Sequence, residues 1–310
     1  MRLVFMGTPE FAVPSLEALL GRGHEVAAVF TQPDRPKGRG QQVTAPPVKQ
    51  CALAHGLVVY QPERIRQQEV REQLASLAPR VIVVVGYGQI LPADMLDLPP
   101  LGFLNVHASL LPKYRGAAPI QWAIASGEQR TGVTIMRIDA GLDTGDILRQ
   151  RETDIGEEET APELAARLAV MGAELLVETL DEAEQGLIQP QRQNHEEATY
   201  APILKKEDGR IDWSLPARTI YNRIRGFLPW PGAYTTFRGQ VLHIWRARVT
   251  GERLPYAPGT ACTGSNRLLV ACGDNTAIEC LELQLEGRKK MPASAFLNGQ
   301  RLVELENLGP

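Results

Sequence analysis

Short apolar runs alternate with helical patterns along the first half of the chain. The apolar runs read RLVFMG, EVAAVFT, RVIVVVGYG, GFLNVH and GVTIMRID. The run Val81–Val85 has no polar alternation, which is typical of a parallel strand covered by helices on both faces. A helical segment, PSLEALLGRG, follows the first run. The pattern predicts a doubly wound α/β domain with a mostly parallel sheet.

The pattern changes after about residue 189, where a polar connector, PQRQNHEEATYAPILKKEDGR, begins. Before it, Thr160 and Glu163 form a capping box that predicts the start of a helix, and Gly186 ends that helix. After it come one short amphipathic helix and several strand-like runs separated by Gly and Pro, which predict a small β-barrel. We therefore predict an α/β domain over 1–189, a linker over 190–208 and a β domain over 209–310.

Composition narrows the class of protein. The chain has 310 residues and is 44% hydrophobic, which supports a substantial core, and no apolar run approaches membrane-spanning length. The first residues, MRLVFMGTPEF, lack the pattern of a signal peptide. The four cysteines show no Cys-x-x-Cys or Cys/His ligand spacing. We expect a cytoplasmic protein with free thiols, no bound metal and no membrane contact.

The net charge of −3 conceals an uneven distribution. Residues 151–208 carry 5 Lys and Arg against 15 Asp and Glu, whereas residues 209–310 carry 13 against 8. The acidic stretch is expected to be a solvated outer face. The remaining surface is mildly basic, which permits a polyanionic partner without requiring one.

Candidate chemistry appears in the stretch NVHASLLPKYRG. Side chains two apart on a strand point to the same face, so Asn105 and His107 are expected to project together. The loop AGLDTGD follows the later strand GVTIMRID, and we expect its Asp143 to approach the imidazole across neighbouring strand ends. An imidazole for proton transfer, a carboxylate to orient it and an amide for a developing oxyanion suit acyl transfer to an amine. Asn and Asp in Gly-rich loops are also common turn formers, so the pattern alone leaves a structural role open.

Two further segments bear on function. MGTPEF follows the first strand without the glycine pattern of a dinucleotide site or the Gly-Lys-Ser/Thr of a P-loop, which disfavours both classes of protein. The segment TQPDRPKGRGQQVTAPPVK, residues 31–49, has no regular period and contains Arg35, Lys37, Arg39 and Lys49. It is either a mobile surface insertion or a basic arm that orders on a phosphate backbone, and its length favours the arm.

These stretches resemble the folate-dependent formyltransferases, and among them the enzymes that formylate methionine on initiator tRNA. The resemblance rests on GTPEFAVPSLEALL, TQPDRPKGRG, NVHASLLPKYRGAAPIQWAI and GVTIMRIDAGLDTGDIL, and more loosely on ATYAPILKKEDGRIDWS and IRGFLPWPGA. It implies 10-formyltetrahydrofolate as donor and the α-amino group of methionine on initiator tRNA as acceptor. It also implies that 1–189 is a catalytic domain and that 209–310 is an OB-like domain that binds tRNA.

The resemblance assigns residues as well as the reaction. Its catalytic trio falls on Asn105, His107 and Asp143. Its folate-contacting segment falls on Ser109, Leu110, Leu111 and Pro112, and its pterin pocket is lined in part by Tyr87 and Ile90. Its tRNA contacts fall on Arg35, Lys37 and Arg39 in the basic segment and on Lys205 and Lys206 in the linker. In the β domain, charge alone suggests Arg223, Arg225, Arg246 and Arg248.

Three other functions remain open on the sequence. A formyltransferase acting on a small amine, such as a sugar nucleotide or glycinamide ribonucleotide, would share the trio without needing the basic segment. A formyltetrahydrofolate hydrolase would use water as acceptor. A non-catalytic RNA-binding protein would not require the trio. The resemblance also suggests a monomer.

Overall fold

The computed structural model describes residues 1–37, 42–264, 266–302 and 305–309. Two compact units emerge, and the first comprises Met1–Pro119, Arg130–Asp154 and Ala165–Ala201. Its strands are β1 Arg2–Gly7, β2 Glu25–Phe30, β3 Arg35–Lys37, β4 Gln42–Thr44, β5 Val59–Tyr60, β6 Val81–Val85, β7 Phe103–His107, β8 Arg115–Gly116, β9 Arg130–Arg137, β10 Ile147–Asp154 and β11 Tyr200–Ala201. Its helices are α1 Val13–Gly21, α2 Pro47–Ala54, α3 Gln68–Ser76 and most of α5 Ala161–Glu184; α4, Pro119–Ala125, is described with the second unit.

The main sheet of the first unit has the strand order β10-β9-β7-β6-β1-β2-β5. Strands β7, β6, β1, β2 and β5 are parallel, and β9 and β10 are antiparallel additions at one edge. The residues of β6 are fully or almost fully buried, as the absence of polar alternation predicts. At Gly172, α5 lies so close to the sheet that an added Cβ would come within 2.8 Å of Val106. The predicted doubly wound, mostly parallel fold is confirmed.

The basic segment is more regular than its sequence suggests. Strands β3 and β4 form an antiparallel pair, with Arg35 opposite Thr44, and α2 begins at Pro47. The expectation of an irregular segment throughout 31–49 is therefore wrong. The two strands, RPK and QVT, have three residues each and are too short to show a period-2 pattern in the sequence. Residues 38–41 between the two strands lie outside the described residues.

The second unit comprises residues 120–129, 155–164 and 202–310. Its longer elements are α6 Ala217–Gly226, β12 Ala233–Phe237, β13 Gln240–Arg253, β14 Thr260–Gly264, β15 Arg267–Ala271, β16 Thr276–Leu285, β17 Met291–Pro292, α7 Ala293–Gln300 and β18 Glu306–Asn307. The strands pair antiparallel in the order β12-β13-β16-β15-β14-β18, and β17 adds to β16. Gly309 N donates to Thr236 O at 2.9 Å, so the two ends of this curled sheet meet. The smaller β domain is confirmed.

The predicted start of α5 is also found. Glu163 accepts hydrogen bonds from Thr160 N at 2.8 Å and from Thr160 Oγ1 at 2.7 Å, and Gly186 follows the helix with φ +70°. Across the described ranges, no helix combines the length and the apolar character that crossing a bilayer requires.

Candidate active site

Asn105 and His107 lie on β7, a strand inside the main sheet. Asn105 pairs with Val84 of β6 on one side and Met136 of β9 on the other, and His107 lies opposite Thr134. A strand hydrogen-bonded along both edges has little freedom, so its backbone holds the two side chains on one face at a defined spacing. His107 is 5% exposed and Asn105 is half-buried.

Asp143 reaches these residues by a different path from the one its sequence position suggests. Strand β9 runs antiparallel to β7, with Leu104 opposite Arg137, so the loop after β9 starts beside the amino end of β7. The expected approach across neighbouring carboxyl ends is therefore wrong. The loop instead folds back, and Ile138 N donates to Phe103 O while Arg137 N donates to Asp146 O. Asp143 reaches the face of β7 with φ +50°.

The three side chains come together on that face. Asn105 Nδ2 lies 3.5 Å from Asp143 Oδ1, and His107 Nδ1 lies 3.7 Å from Asp143 Oδ2. Asp143 Oδ2 also accepts a hydrogen bond from Gly116 N at 2.8 Å. The carboxylate is thereby anchored by a backbone amide and directed toward both the imidazole and the amide.

A carbonyl group determines which nitrogen of His107 carries a proton. His107 Nε2 lies 2.9 Å from Tyr114 O, and a carbonyl oxygen can only accept. Nε2 is therefore the donor, and Nδ1 is the nitrogen left to take a proton. Nδ1 faces Asp143 Oδ2 at 3.7 Å, so a carboxylate lies beside the nitrogen that can accept a proton.

The segment after β7 is held by hydrogen bonds from side chains of β9 and β10. Thr134 Oγ1 donates to Ser109 O at 2.6 Å and accepts from Leu111 N at 3.2 Å, while Gln150 Nε2 donates to Leu111 O at 2.9 Å. Ser109 Oγ donates to Lys113 O at 2.6 Å, so this buried hydroxyl is engaged within the turn. The side chain of Leu110 covers Gly132, where an added Cβ would lie 2.6 Å from Leu110 Cδ2. Pro112 follows as the end of the turn.

Tyr87 and Ile90, the two residues predicted near a pterin pocket, lie in opposite environments. Tyr87 is 1% exposed, its hydroxyl has no described hydrogen-bond partner, and burial raises the pKa of its phenol. Its carbonyl accepts from Thr8 Oγ1 and Gln32 Nε2. Ile90 is 93% exposed. Of the two residues, Ile90 is exposed beyond the strand end, whereas Tyr87 is buried as a whole.

Two residues that the sequence analysis did not select hold the Asp143 loop. Gln193 Nε2 donates to Asp143 O at 2.9 Å and to Gly145 O at 2.7 Å. Gln193 Oε1 accepts from Arg115 Nε at 3.1 Å and Nη2 at 2.7 Å, and Arg115 is 2% exposed. Arg115 also contacts His195 Nδ1 at 3.2 Å. No sequence signal marks Gln193, because it stands in a run of polar residues typical of a linker.

The first unit also contains a pocket of about 490 Å³, within the usual size range of small-molecule sites. It opens at the carboxyl ends of β1 and β2 beside the β3–β4 hairpin. Its lining residues are Thr8, Gln32, Pro33, Arg35, Pro36, Thr44, Ala45, Pro46, Pro47, Gln50 and Gly88. The trio does not line it, so the pocket and the face of β7 are distinct parts of the unit.

The basic residues of the predicted arm do not share one environment. Arg35 is exposed at the pocket, and Lys37 ends β3. Lys49 forms an ion pair with Asp34 at 2.7 Å. Arg39 lies outside the described residues.

In the second unit, Lys205 and Lys206 are exposed at the start of a short 3₁₀ turn. Arg225 is buried, and its Nη1 donates to Gly156 O at 3.0 Å and Glu159 O at 2.7 Å, so its charge does not mark an exposed contact residue. Arg223 donates to Asp208 O, Arg248 pairs with Glu279, and Arg246 is exposed.

The fold and this site match one family. Residues 1–180 match the model of the formyl transferase family, and residues 203–301 match the model of the formyl transferase C-terminal domain. The chain belongs to the formyl transferase family.

Relatives that match over the full length show which group of formyl transferases the chain resembles. A protein of Solibacter usitatus (strain Ellin6076) is 63% identical, covering 100% of this chain and 99% of its own length. A protein of Koribacter versatilis (strain Ellin345) is 59% identical over 100% of this chain and 99% of its own length. Both are named methionyl-tRNA formyltransferase, and the match places the chain among the methionyl-tRNA formyltransferases of the family.

Solved structures agree on the fold. The sugar 3N-formyl transferase WlaRD, crystallised with dTDP and 5-N-formyl-THF, has a TM-score of 0.69 at 18% identity, covering 93% of this chain and 99% of that one. HypX from Aquifex aeolicus in complex with tetrahydrofolic acid has a TM-score of 0.64 at 17% identity, covering 100% of this chain and 51% of that one. The shared fold therefore occurs in proteins that were crystallised with folates.

Proposed function

We propose that this chain transfers the formyl group of 10-formyltetrahydrofolate to the α-amino group of methionine on initiator tRNA. The observation that carries this proposal is the convergence of Asn105, His107 and Asp143 on one face of β7. The names of the full-length relatives support the acceptor. The folates in the related crystal structures support a folate donor, and the 10-formyl derivative is the form that carries a transferable formyl group.

Each of the three side chains has a role in the proposed transfer. The incoming amine loses a proton to His107 Nδ1 as its nitrogen bonds to the formyl carbon, and the same proton is available to the departing nitrogen. Asp143, 3.7 Å from Nδ1, stabilises the imidazolium between these two steps. Asn105 donates from its amide to the formyl oxygen, where negative charge develops. No protein nucleophile takes part, so each transfer is direct.

The residues around the strand ends fit a folate. Ile90 and Leu142 are large apolar side chains that are 93% and 58% exposed in this unit, and a flat ring system would cover such surface. Ser109, Leu110, Leu111 and Pro112 form a rigid turn directly after the catalytic strand, which suits main-chain contact. We assign these four residues, with Ile90 and Tyr87, to the donor site.

The acceptor is assigned to the basic residues. Arg35, Lys37 and Arg39 are proposed to contact the tRNA backbone from the hairpin, and Lys205 and Lys206 from the start of the second unit. A salt-dependent binding constant is expected, because phosphate contacts release counterions. We further propose a cytoplasmic monomer, with 1–189 catalytic, 190–208 a linker and 209–310 binding tRNA.

The test is transfer of label from formyl-labelled tetrahydrofolate to Met-charged initiator tRNA. Met-charged elongator tRNA, glycinamide ribonucleotide and an amino-sugar nucleotide serve as parallel acceptors. Rapid labelling of the initiator tRNA alone is expected. Labelling of a small amine alone would contradict the tRNA assignment and leave the trio intact. Release of labelled formate without any acceptor would indicate a hydrolase instead.

A further inference from the structure

A cluster of three metal-binding side chains lies on the first unit, away from the trio. Glu17 is on α1, Cys51 is on α2, and His55 directly follows α2. One ligand atom from each residue lies within 4.8 Å of the other two. Glu17 and His55 are exposed and Cys51 is half-buried, so an ion can enter from solvent. The sequence does not mark this set, because Cys51 and His55 become neighbours only when the segment is helical.

The donor atoms are those that zinc prefers. A thiolate sulfur, an imidazole nitrogen and a carboxylate oxygen bind Zn²⁺ at about 2.0–2.3 Å in tetrahedral geometry. Ligand atoms around such an ion are then roughly 3.3–3.8 Å apart, from the same bond lengths. Separations of up to 4.8 Å need an adjustment of roughly 1 Å, which exposed Glu and His side chains reach by rotamer changes.

The local charges favour a cation over an empty cluster. Glu17 and Glu10 place negative charge near the Cys51 sulfur. The same negative charges attract a divalent ion, and a bound ion replaces the thiol proton. None of the three side chains makes a hydrogen bond or ion pair with another described residue, so a metal would displace no existing partner.

We propose that Glu17, Cys51 and His55 form a site for one thiophilic divalent cation of the zinc class, with water as the remaining ligand. The ion would join α1 to α2. Because α2 begins at Pro47, which lines the pocket beside the hairpin, the ion would also brace one wall of that pocket. This site is separate from the proposed transfer chemistry and does not depend on it.

Cobalt provides the direct test, since a thiolate bound to Co²⁺ gives a charge-transfer band in the near ultraviolet. We expect the band to saturate at one Co²⁺ per chain and to disappear on addition of Zn²⁺. Cys51→Ser should abolish it and His55→Ala should weaken it, whereas the matched control Cys262→Ser should keep it. A full band in Cys51→Ser, or no band in the unaltered chain, would overturn the proposal.

A second measurement needs no variant. Alkylation of each cysteine by iodoacetamide can be followed by peptide mass spectrometry with and without Zn²⁺. Zinc is expected to slow alkylation at Cys51 at least tenfold while leaving Cys262, the other half-buried cysteine, unchanged. Equal rates at Cys51 in the two conditions would overturn the proposal.

A separate observation concerns Gln193. Its amide spans the Asp143 loop from Asp143 O to Gly145 O, and the buried Arg115 fixes the opposite end of the same amide. A buried guanidinium needs its donors satisfied, so Arg115 holds Gln193 in one orientation. Asp143 is at positive φ, a conformation that Asp adopts only when its surroundings favour it.

We infer that Gln193 and Arg115 are positioning residues that hold the Asp143 carboxylate against His107. This inference rests on the proposed function for its activity readout. Gln193→Ala should lower kcat roughly tenfold with little change in the KM for tRNA, whereas Gln191→Ala, two residues earlier and exposed, should not. Gln193→Glu keeps the Arg115 contact but loses both donors to the loop, so it should fail to rescue activity.

A double-mutant cycle separates positioning from packing. If Gln193 acts through Asp143, then Gln193→Ala should have little further effect on kcat in an Asp143→Asn background. Additive losses would overturn the inference.

Hydrogen exchange tests, without an activity assay, whether Gln193 holds the Asp143 loop. The amides of residues 140–146 should exchange faster in Gln193→Ala than in Gln191→Ala. Unchanged exchange would overturn the proposed role of Gln193 even if formyl transfer is confirmed. Faster exchange in a chain that transfers no label would support the contact between Gln193 and the Asp143 loop and count against the proposed function.

Discussion

The two halves of the candidate active site are held in place by different means. Asn105 and His107 stand on β7, which is hydrogen-bonded to β6 and β9 along its two edges. Asp143 stands on a loop at positive φ and is held by Gly116 N and by the side chain of Gln193. One half is positioned by a sheet, the other by a few individual hydrogen bonds.

The comparison teaches which half tolerates change. A substitution in the strand half removes a chemical group while the sheet preserves the geometry. A substitution in the loop half removes a group and also frees the segment that carried it. We therefore expect substitutions in the strand half to lower kcat strongly while the geometry is preserved. Substitutions in the loop half should lower kcat less, through both the lost group and the altered loop.

The largest effect is expected from His107→Ala. Loss of the proton-accepting Nδ1 should lower kcat by roughly 10²–10⁴-fold, because general acid–base catalysis contributes that much. Binding of Met-charged initiator tRNA should be unchanged, and a filter-binding assay checks this. A loss of tRNA binding equal to the loss of kcat would show that the strand half also supports the acceptor.

Asn105→Ala should rank next. Removing one donor to a developing oxyanion lowers kcat by about 10²–10³-fold, or about 3 kcal/mol. Single-turnover transfer with enzyme in excess measures the chemical step. An effect confined to the KM for the folate donor would instead assign Asn105 to ground-state binding.

Asp143→Asn tests the chemistry of the loop half. The amide can still accept from Gly116 N but no longer stabilises an imidazolium, so kcat should fall by about 10–100-fold, about 1.4–2.7 kcal/mol. Asp139→Asn in the same loop is the matched control, and an equal loss there would mean that the loop conformation alone was measured.

Thr134→Val should have the smallest effect on catalysis and a clear effect on stability. Its hydroxyl bonds Ser109 O, Leu111 N and Gln150 Nε2 beneath the turn, and leaving these buried groups unpaired costs about 1–3 kcal/mol in the free energy of unfolding. Urea unfolding measures this cost. Thr131→Val, at a buried position on the same strand that lacks the three hydrogen bonds of Thr134, should cost clearly less, and similar values for both would remove the support we assign to Thr134.

The sequence was sufficient to predict the strand half of the candidate site and the fold that contains it. The apolar run of β6 predicted a buried parallel strand, and the spacing of Asn105 and His107 predicted two polar side chains on one face. Both inferences use periodicity, which acts within a few residues. The same reasoning failed for the β3–β4 hairpin, because its short strands contain no apolar period, and for Arg225, because net charge does not reveal burial.

The loop half was decided by tertiary structure. The sequence predicts that Asp143 approaches His107 across neighbouring strand ends, but β9 is antiparallel to β7 and the loop must fold back to reach His107. Strand direction follows from how the whole sheet pairs, which no local pattern records. The same holds for Gln193 and Arg115, and for Glu17 beside Cys51 and His55, whose contacts join segments far apart in the chain. The sequence by itself determined the elements and the chemical groups available; only the packed fold decided which groups meet, because meeting depends on pairing direction and burial across the whole unit.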